Sequence, residues 1–365
     1  MGFFSKRRVY LDYAAGAAGN PSSPHTEGQR ARDVLEGARI RVARELEVKA
    51  DDIIFTSGAT EANAIAIHGL ATVGAHMLYL PSAHASIVEN MKMVAARGVL
   101  IEALPITKGW VDTDALKKMI RPETRLVSMD AVCGETGTIW NTREVKQVLK
   151  NSKAFLHVDV SQAVLTEKCS RAHFDTDLLT IDGAKIGARG VGCLIAHRTI
   201  PLIPLYAGGG QERGLRSGTQ NVEAIAAFAK ALSATIENRE GFSSRARSAR
   251  EALIFAISAI PNLVVNAGAE TVPNILNISF LERDTDYLVA LLDHAGFAVS
   301  TRSACETNST EGSRAVFALT GDLARAKSTL RISFGPKITV FDVTRFAKAL
   351  TEAVHFLDTA KGAIL

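Results

Sequence analysis

Phe155-Leu156-His157-Val158-Asp159 is a short apolar run that ends in a carboxylate, and Val160-Ser161-Gln162 follows it. Two similar runs come next, residues 178–181 and 191–196, each too short for a helix and rich in aliphatic side chains. Upstream, residues 53–56, 77–80, 100–104 and 125–130 have the same character. Between these runs lie stretches with apolar positions three and four apart, at 60–73, 86–97, 113–120 and 143–149. A longer one, 25–46, precedes the first run. Apolar strands alternating with amphipathic helices predict an α/β fold, a mostly parallel sheet with helices on both faces.

The texture changes after Asn221. Helical patterns at 222–238 and 244–259 are separated by Gly241-Phe242-Ser243, which reads as a breaker. Strands are expected at 263–265, 275–279, 298–300 and 330–334, and helices at 286–295 and 341–357. The chain has 365 residues, more than one core usually supports. The reading is a large domain at 13–240 and a smaller α/β domain at 241–365, with residues 1–12 packing on the smaller one.

Forty-two basic against 38 acidic side chains leave a net charge of +4, scattered along the chain. Nucleic-acid binding wants a concentrated basic face, so no nucleic-acid partner is expected. The four cysteines show no C-x-x-C pairing, which argues against a metal cluster and a disulfide framework. Residues 1–8 do not resemble a signal peptide, and no apolar run approaches the roughly 18 residues of a membrane span. A cytoplasmic protein with reduced thiols and no membrane partner is the expectation.

Ligands of open α/β sheets sit at the carboxyl ends of the strands. Thr56-Ser57-Gly58-Ala59-Thr60-Glu61 follows one strand and opens a helix. It can seat a phosphate on backbone N–H groups, or be a plain helix start capped by Thr60. Asp159 alone reads as a turn former, and Lys185 in Asp182-Gly183-Ala184-Lys185 as a solvated side chain. His84 alone reads as an ordinary satisfied histidine. Together, an Asp and a Lys ending consecutive sheet elements match what a pyridoxal phosphate enzyme provides: a carboxylate for the pyridinium nitrogen and an amine for the aldehyde.

Several segments, in order along the chain, resemble class V aminotransferase-fold proteins, and among them cysteine desulfurases of the nitrogen-fixation and iron–sulfur-cluster type. They are Val9-Tyr10-Leu11-Asp12-Tyr13, Gly19-Asn20-Pro21-Ser22-Ser23-Pro24-His25, residues 56–61, Glu135-Thr136-Gly137, His157-Val158-Asp159 with Gln162, residues 208–219, Ser303-Ala304-Cys305 and Leu330-Arg331-Ile332-Ser333-Phe334-Gly335. The resemblance implies a type I fold for pyridoxal 5'-phosphate enzymes with a seven-stranded sheet, and a homodimer. It implies that Lys185 binds the cofactor as a Schiff base and moves the substrate's Cα proton. Asp159 would hold the pyridine nitrogen, Gln162 the ring hydroxyl, and His84 would stack on the ring and assist proton transfer. Ala59 and Thr60 would meet the phosphate, with Thr219 reaching in from the second subunit. Asn20 and Arg331 would bind the carboxylate of L-cysteine. Cys305 would take the sulfur as a persulfide, for a sulfur-acceptor or scaffold protein, and alanine would leave. No resident metal is implied.

The sequence departs from that pattern at Asp182 and Ala184, at Gly134 where an Asn is usual, in a short turn at 185–190, between Tyr13 and Asn20, and at Arg302. Lys185 and Asp159 also fit another pyridoxal phosphate lyase, including a selenocysteine lyase. The altered phosphate seat fits a non-catalytic homologue.

Overall fold

The computed structural model describes residues 8–17, 19–301 and 312–362. Its elements run α1 (Thr26–Glu45), β1 (Ile53–Thr56), α2 (Ala59–Leu70), β2 (His76–Tyr79), α3 (Ala85–Ala95), β3 (Leu100–Ala103), a hairpin of β4 (Ile106–Thr107) and β5 (Trp110–Val111), and α4 (Thr113–Met119). They continue with β6 (Thr124–Asp130), α5 (Thr142–Leu149), β7 (Phe155–Asp159), α6 (Arg171–Phe174), β8 (Leu178–Asp182) and β9 (Gly192–Ala196). Seven of the strands form one sheet in the order β1-β9-β8-β7-β6-β2-β3. Only β9 runs against its neighbours; β8, β7, β6, β2 and β3 are parallel to one another. The apolar runs are unbroken because helices cover both faces of the sheet; β1 and β9 are buried at every position. Register sets Asp130 of β6 opposite Asp159 of β7, and β8 ends beside them in Asp182. Three adjacent strands thus deliver three carboxyls to one edge.

The 241–243 stretch does not break a helix. One continuous helix, α7 (Val222–Ile257), runs through it. Phe242, Ala246, Ala249 and Leu253 are buried at helical spacing in a second apolar cluster, whereas Ile225, Phe228, Ala229 and Leu232 belong to the first. A helical glycine costs about 1 kcal/mol against alanine. Burying Phe242 contributes roughly 2 kcal/mol or more, so packing overrides the local signal. Residue 240, the expected boundary, therefore lies inside α7.

The second cluster is built on β10 (Leu263–Val265), β11 (Ile275–Phe280) and β12 (Thr329–Ser333), an antiparallel sheet. Around it lie α8 (Thr285–His294), α9 (Arg314–Thr320), α10 (Leu323–Lys327) and α11 (Val340–Gly362). No strand forms at 298–300; that segment makes a single bridge, between Ser300 and Arg331. Residues 8–12 contact the start of α1: Arg8 pairs with Glu27, and Asp12 accepts from Ser23 Oγ at 2.9 Å and lies 3.0 Å from His25 Nε2.

Candidate active site

The carboxyl ends of β6, β7 and β8 open into a cavity lined by Ala59, Thr60, His84, Asp159, Gln162, Lys185 and Arg331, together with Asp130, Cys133, Asp182 and Arg314 among others. Asp159 is 5 % exposed, and both its oxygens are oriented. Oδ1 accepts from the Ser161 N–H at 2.9 Å and Oδ2 from Asn63 Nδ2 at 2.8 Å. His84 ends the turn after β2 and caps α3, its Nδ1 accepting from the Ser86 N–H at 3.2 Å.

Lys185 sits in the single 3₁₀ turn, Gly183–Ile186, that leaves β8. Gly183 makes that turn possible: a Cβ there would lie 2.2 Å from the Ala188 carbonyl oxygen and 2.6 Å from that of Val191. Arg331 comes from β12 of the second sheet, and one guanidinium nitrogen donates to the Gly134 carbonyl at 3.2 Å. Asn277, its register partner on β11, donates to the Glu135 carbonyl at 3.2 Å. The turn at 134–135 is therefore the point at which the second sheet grips the cavity wall.

Thr60 is not the cap of α2. Gly58 occupies that position, and no side chain among the described residues caps the first-turn N–H groups there. The Asp182 carboxylate turns toward its own 3₁₀ turn and accepts from the Ala184 N–H at 3.2 Å, while still lining the cavity. At Gly134 the missing side chain leaves room for a neighbour. A Cβ would meet Gln162 Nε2 at 2.9 Å, so the glutamine occupies the space that a larger residue would need.

Asn20 and Thr219 are not brought to the cavity. The Asn20 side chain closes a local turn, donating to the Ala15 carbonyl at 3.2 Å and accepting from the Ser22 N–H at 2.9 Å. Thr219 is exposed. Cys305 and Arg302 lie outside the described residues.

Several residues of the site escape a linear reading. Asp130 is as buried as Asp159, and its Oδ1 has no hydrogen-bond partner. Burial first, and then the charges of Asp159 and Glu135, push its carboxyl well above the usual carboxylate range, against the pull of Arg314. Cys133 lines the cavity too, but burial pushes its thiol up to about 12, leaving it un-ionised and a poor nucleophile.

Glu61, in the first turn of α2, accepts from Tyr206 Oη at 2.6 Å and Arg216 Nε at 3.0 Å, fastening the 206–216 segment to the phosphate-seat helix. Glu212 of the same segment is buried and accepts from both terminal nitrogens of Arg39 at 2.7 and 3.0 Å and from the Phe55 N–H at 2.9 Å. The only advance sign of Asp130 is its position at the end of an apolar strand, the same sign that marks Asp159.

The sequence pattern of the family described as Aminotransferase class-V matches residues 8–346. The chain belongs to the class V aminotransferase family. It is 34 % identical to a cysteine desulfurase, IscS 1, of Archaeoglobus fulgidus, over 95 % of this chain and 92 % of that protein. A solved NifS-like protein superposes with a TM-score of 0.86 at 30 % identity, covering 94 % of each chain. Another, described as SspA in complex with cysteine, gives 0.75 at 27 % identity, over 89 % of this chain and 93 % of that one.

The family works with pyridoxal 5'-phosphate, and the residues present fit it. The uncapped N-terminus of α2 is a seat for an anion. Asp159 offers an oriented carboxylate, and the Lys185 amino group has no hydrogen-bond or ionic partner among the described residues.

Proposed function

We propose that the protein is a cysteine desulfurase that takes sulfur from L-cysteine, releases L-alanine and carries the sulfur as a persulfide on Cys305. The observation that carries this reading is the meeting of Lys185, Asp159, His84 and Arg331, from four separate elements, around one cavity in a chain whose relatives bear that name. When bound, pyridoxal 5'-phosphate supplies an electron sink for bonds at the substrate's Cα.

On this reading Asp159 keeps the ring nitrogen protonated and Gln162 meets the ring hydroxyl. Ala59 and Thr60 present N–H groups to the phosphate. Arg331 holds the substrate carboxylate with its fork, and Lys185 removes and returns the Cα proton. The Cys305 thiolate attacks the substrate sulfur. An S–S bond forms as the C–S bond breaks, and the electron pair left on Cβ takes up a proton to give alanine.

The same reading includes a homodimer in which Thr219 meets the partner's cofactor phosphate. Exposed Ile203, Leu205 and Tyr206 near that segment support it. It includes the division of the chain near residue 240, supported by two separate apolar clusters, and transfer of the sulfur to an acceptor or scaffold protein. It also includes a cytoplasmic setting, which the free thiols of Cys133, Cys169 and Cys193 suit. No helix among the described residues is long and apolar enough to cross a membrane.

The test is alanine and persulfide formation from L-cysteine by cofactor-loaded protein. Cys305→Ser is expected to abolish persulfide, and Lys185→Ala to abolish both products. Turnover that survives Cys305→Ser would move the assignment to another lyase. Protein that stays colourless with pyridoxal phosphate would mark a non-catalytic homologue.

A further inference from the structure

Asp159 and His84 are joined inside the protein. Asn63, wholly buried on α2, donates from Nδ2 to Asp159 Oδ2 and to Ser86 Oγ, each at 2.8 Å, and Ser86 Oγ lies 2.8 Å from His84 Nδ1. The hydrogens on this path can be assigned by elimination. The Ser86 backbone N–H, 3.2 Å from Nδ1, can only donate, so it favours Nδ1 as an acceptor but is the longer of the two contacts there. The Asn63 amide cannot be turned around, because its carbonyl oxygen would then face a carboxylate oxygen. Its Oδ1 stays buried without a partner, the cost of keeping both N–H bonds directed outward. Ser86 Oγ, already accepting from Asn63, then gives its own hydrogen to Nδ1.

We infer that Asn63 and Ser86 are positioning residues that fix His84 as the Nε2–H tautomer and hold Oδ2 of Asp159. His84 then meets whatever fills the cavity as a hydrogen-bond donor. Its Nε2 has no partner among the described residues, and its ring lines the cavity. This deepens the desulfurase reading, on which its kinetic part rests; its tautomer part does not depend on the reaction.

The experiment uses cofactor-loaded protein labelled with 15N-histidine, the His84 signals being identified by their loss in His84→Gln. The expected spectrum is that of a ring protonated at Nε2. In Ser86→Ala the backbone N–H at 3.2 Å is the one described donor left to Nδ1. The Nδ1–H form therefore rises to about a tenth or more of the population, and kcat for L-cysteine falls about tenfold with KM within about twofold. Ser86→Thr, which keeps the hydroxyl, restores the spectrum and kcat to within about threefold.

Asn63→Leu removes one donor from Asp159, and affinity for pyridoxal phosphate, read by absorbance, falls about tenfold, whereas Ser86→Ala leaves it unchanged. A wild-type ring protonated at Nδ1 overturns the inference. So does a Ser86→Ala protein with an unaltered tautomer, whatever its kcat. If no alanine forms from L-cysteine the desulfurase reading fails, and the tautomer and affinity measurements still decide this one.

Discussion

Asp130 and Asp159 end neighbouring parallel strands, face each other in register, and are each 5 % exposed, yet their oxygens are hydrogen-bonded differently. Asp159 receives one N–H on each oxygen, from Ser161 and Asn63. Asp130 Oδ1 receives none, and burial together with the charge of Asp159 drives that carboxyl toward its neutral form. Equal burial therefore goes with unequal hydrogen bonding at this edge of the sheet. The donors to Asp159 come from a backbone turn and a helix that packs over the strand ends.

The rule can be broken most visibly at Glu212, the best-supplied buried carboxylate described. Arg39 grips it with two nitrogens, and the Phe55 N–H and Gln220 Nε2 add two further bonds, the last at 3.2 Å. Glu212→Ala leaves Arg39 with Glu36, the Ile53 carbonyl and the Phe55 ring face, and is expected to destabilise the protein by about 3–5 kcal/mol in urea unfolding. It should also loosen the 206–216 segment. A loss below about 1 kcal/mol would mean that donor supply is not what stabilises buried carboxylates here.

A smaller effect comes from below Asp159 on the same strand. His157 is fully buried, with its ring nitrogens 2.8 Å from Ser128 Oγ and 3.0 Å from Thr180 Oγ1. Burial lowers its pKa to about 4, partly opposed by Asp159. The sign follows from linkage. Between about pH 6.5 and 4 the unfolded chain binds a proton at this site and the folded one does not, so stability is lost as pH falls through that window, by about 3 kcal/mol in all. The urea midpoint should drop from pH 7 to pH 4.5, and the drop should be smaller in His157→Gln. Equal slopes in the two proteins would show that His157 gains its proton with the fold intact.

Much of this arrangement was legible in the sequence for a simple reason. Strands buried on both faces are continuous apolar runs, so the polar residues at and just after their ends stand out, and Asp159 and Lys185 are found that way. The same sign marks Asp130 equally well; what separates the two is the supply of donors from Asn63 and Ser161, and the first of these lies on an element 96 residues away. Glu212 and Arg39 are 173 residues apart, and no local pattern pairs them. Gly241 misleads because local propensity is small beside the burial of Phe242. Asn20 closes a turn of its own instead of reaching the cavity, although its motif reads like a binding element.

The smallest effect tests the neutral partner itself. Because burial and the neighbouring charges raise the Asp130 carboxyl in the folded protein, stability falls as pH rises from the unfolded carboxyl range through the raised folded value. Asp130→Asn keeps the shape and removes that dependence. It is expected to raise stability at pH 7 by about 1 kcal/mol, read as a higher urea midpoint, with the gain vanishing below about pH 3, where both states of the native chain are protonated. A gain that persists below about pH 3 would point to packing and not to the proton. A loss at pH 7 would mean that Arg314 holds Asp130 as a charged partner, and the contrast with Asp159 would then be one of degree.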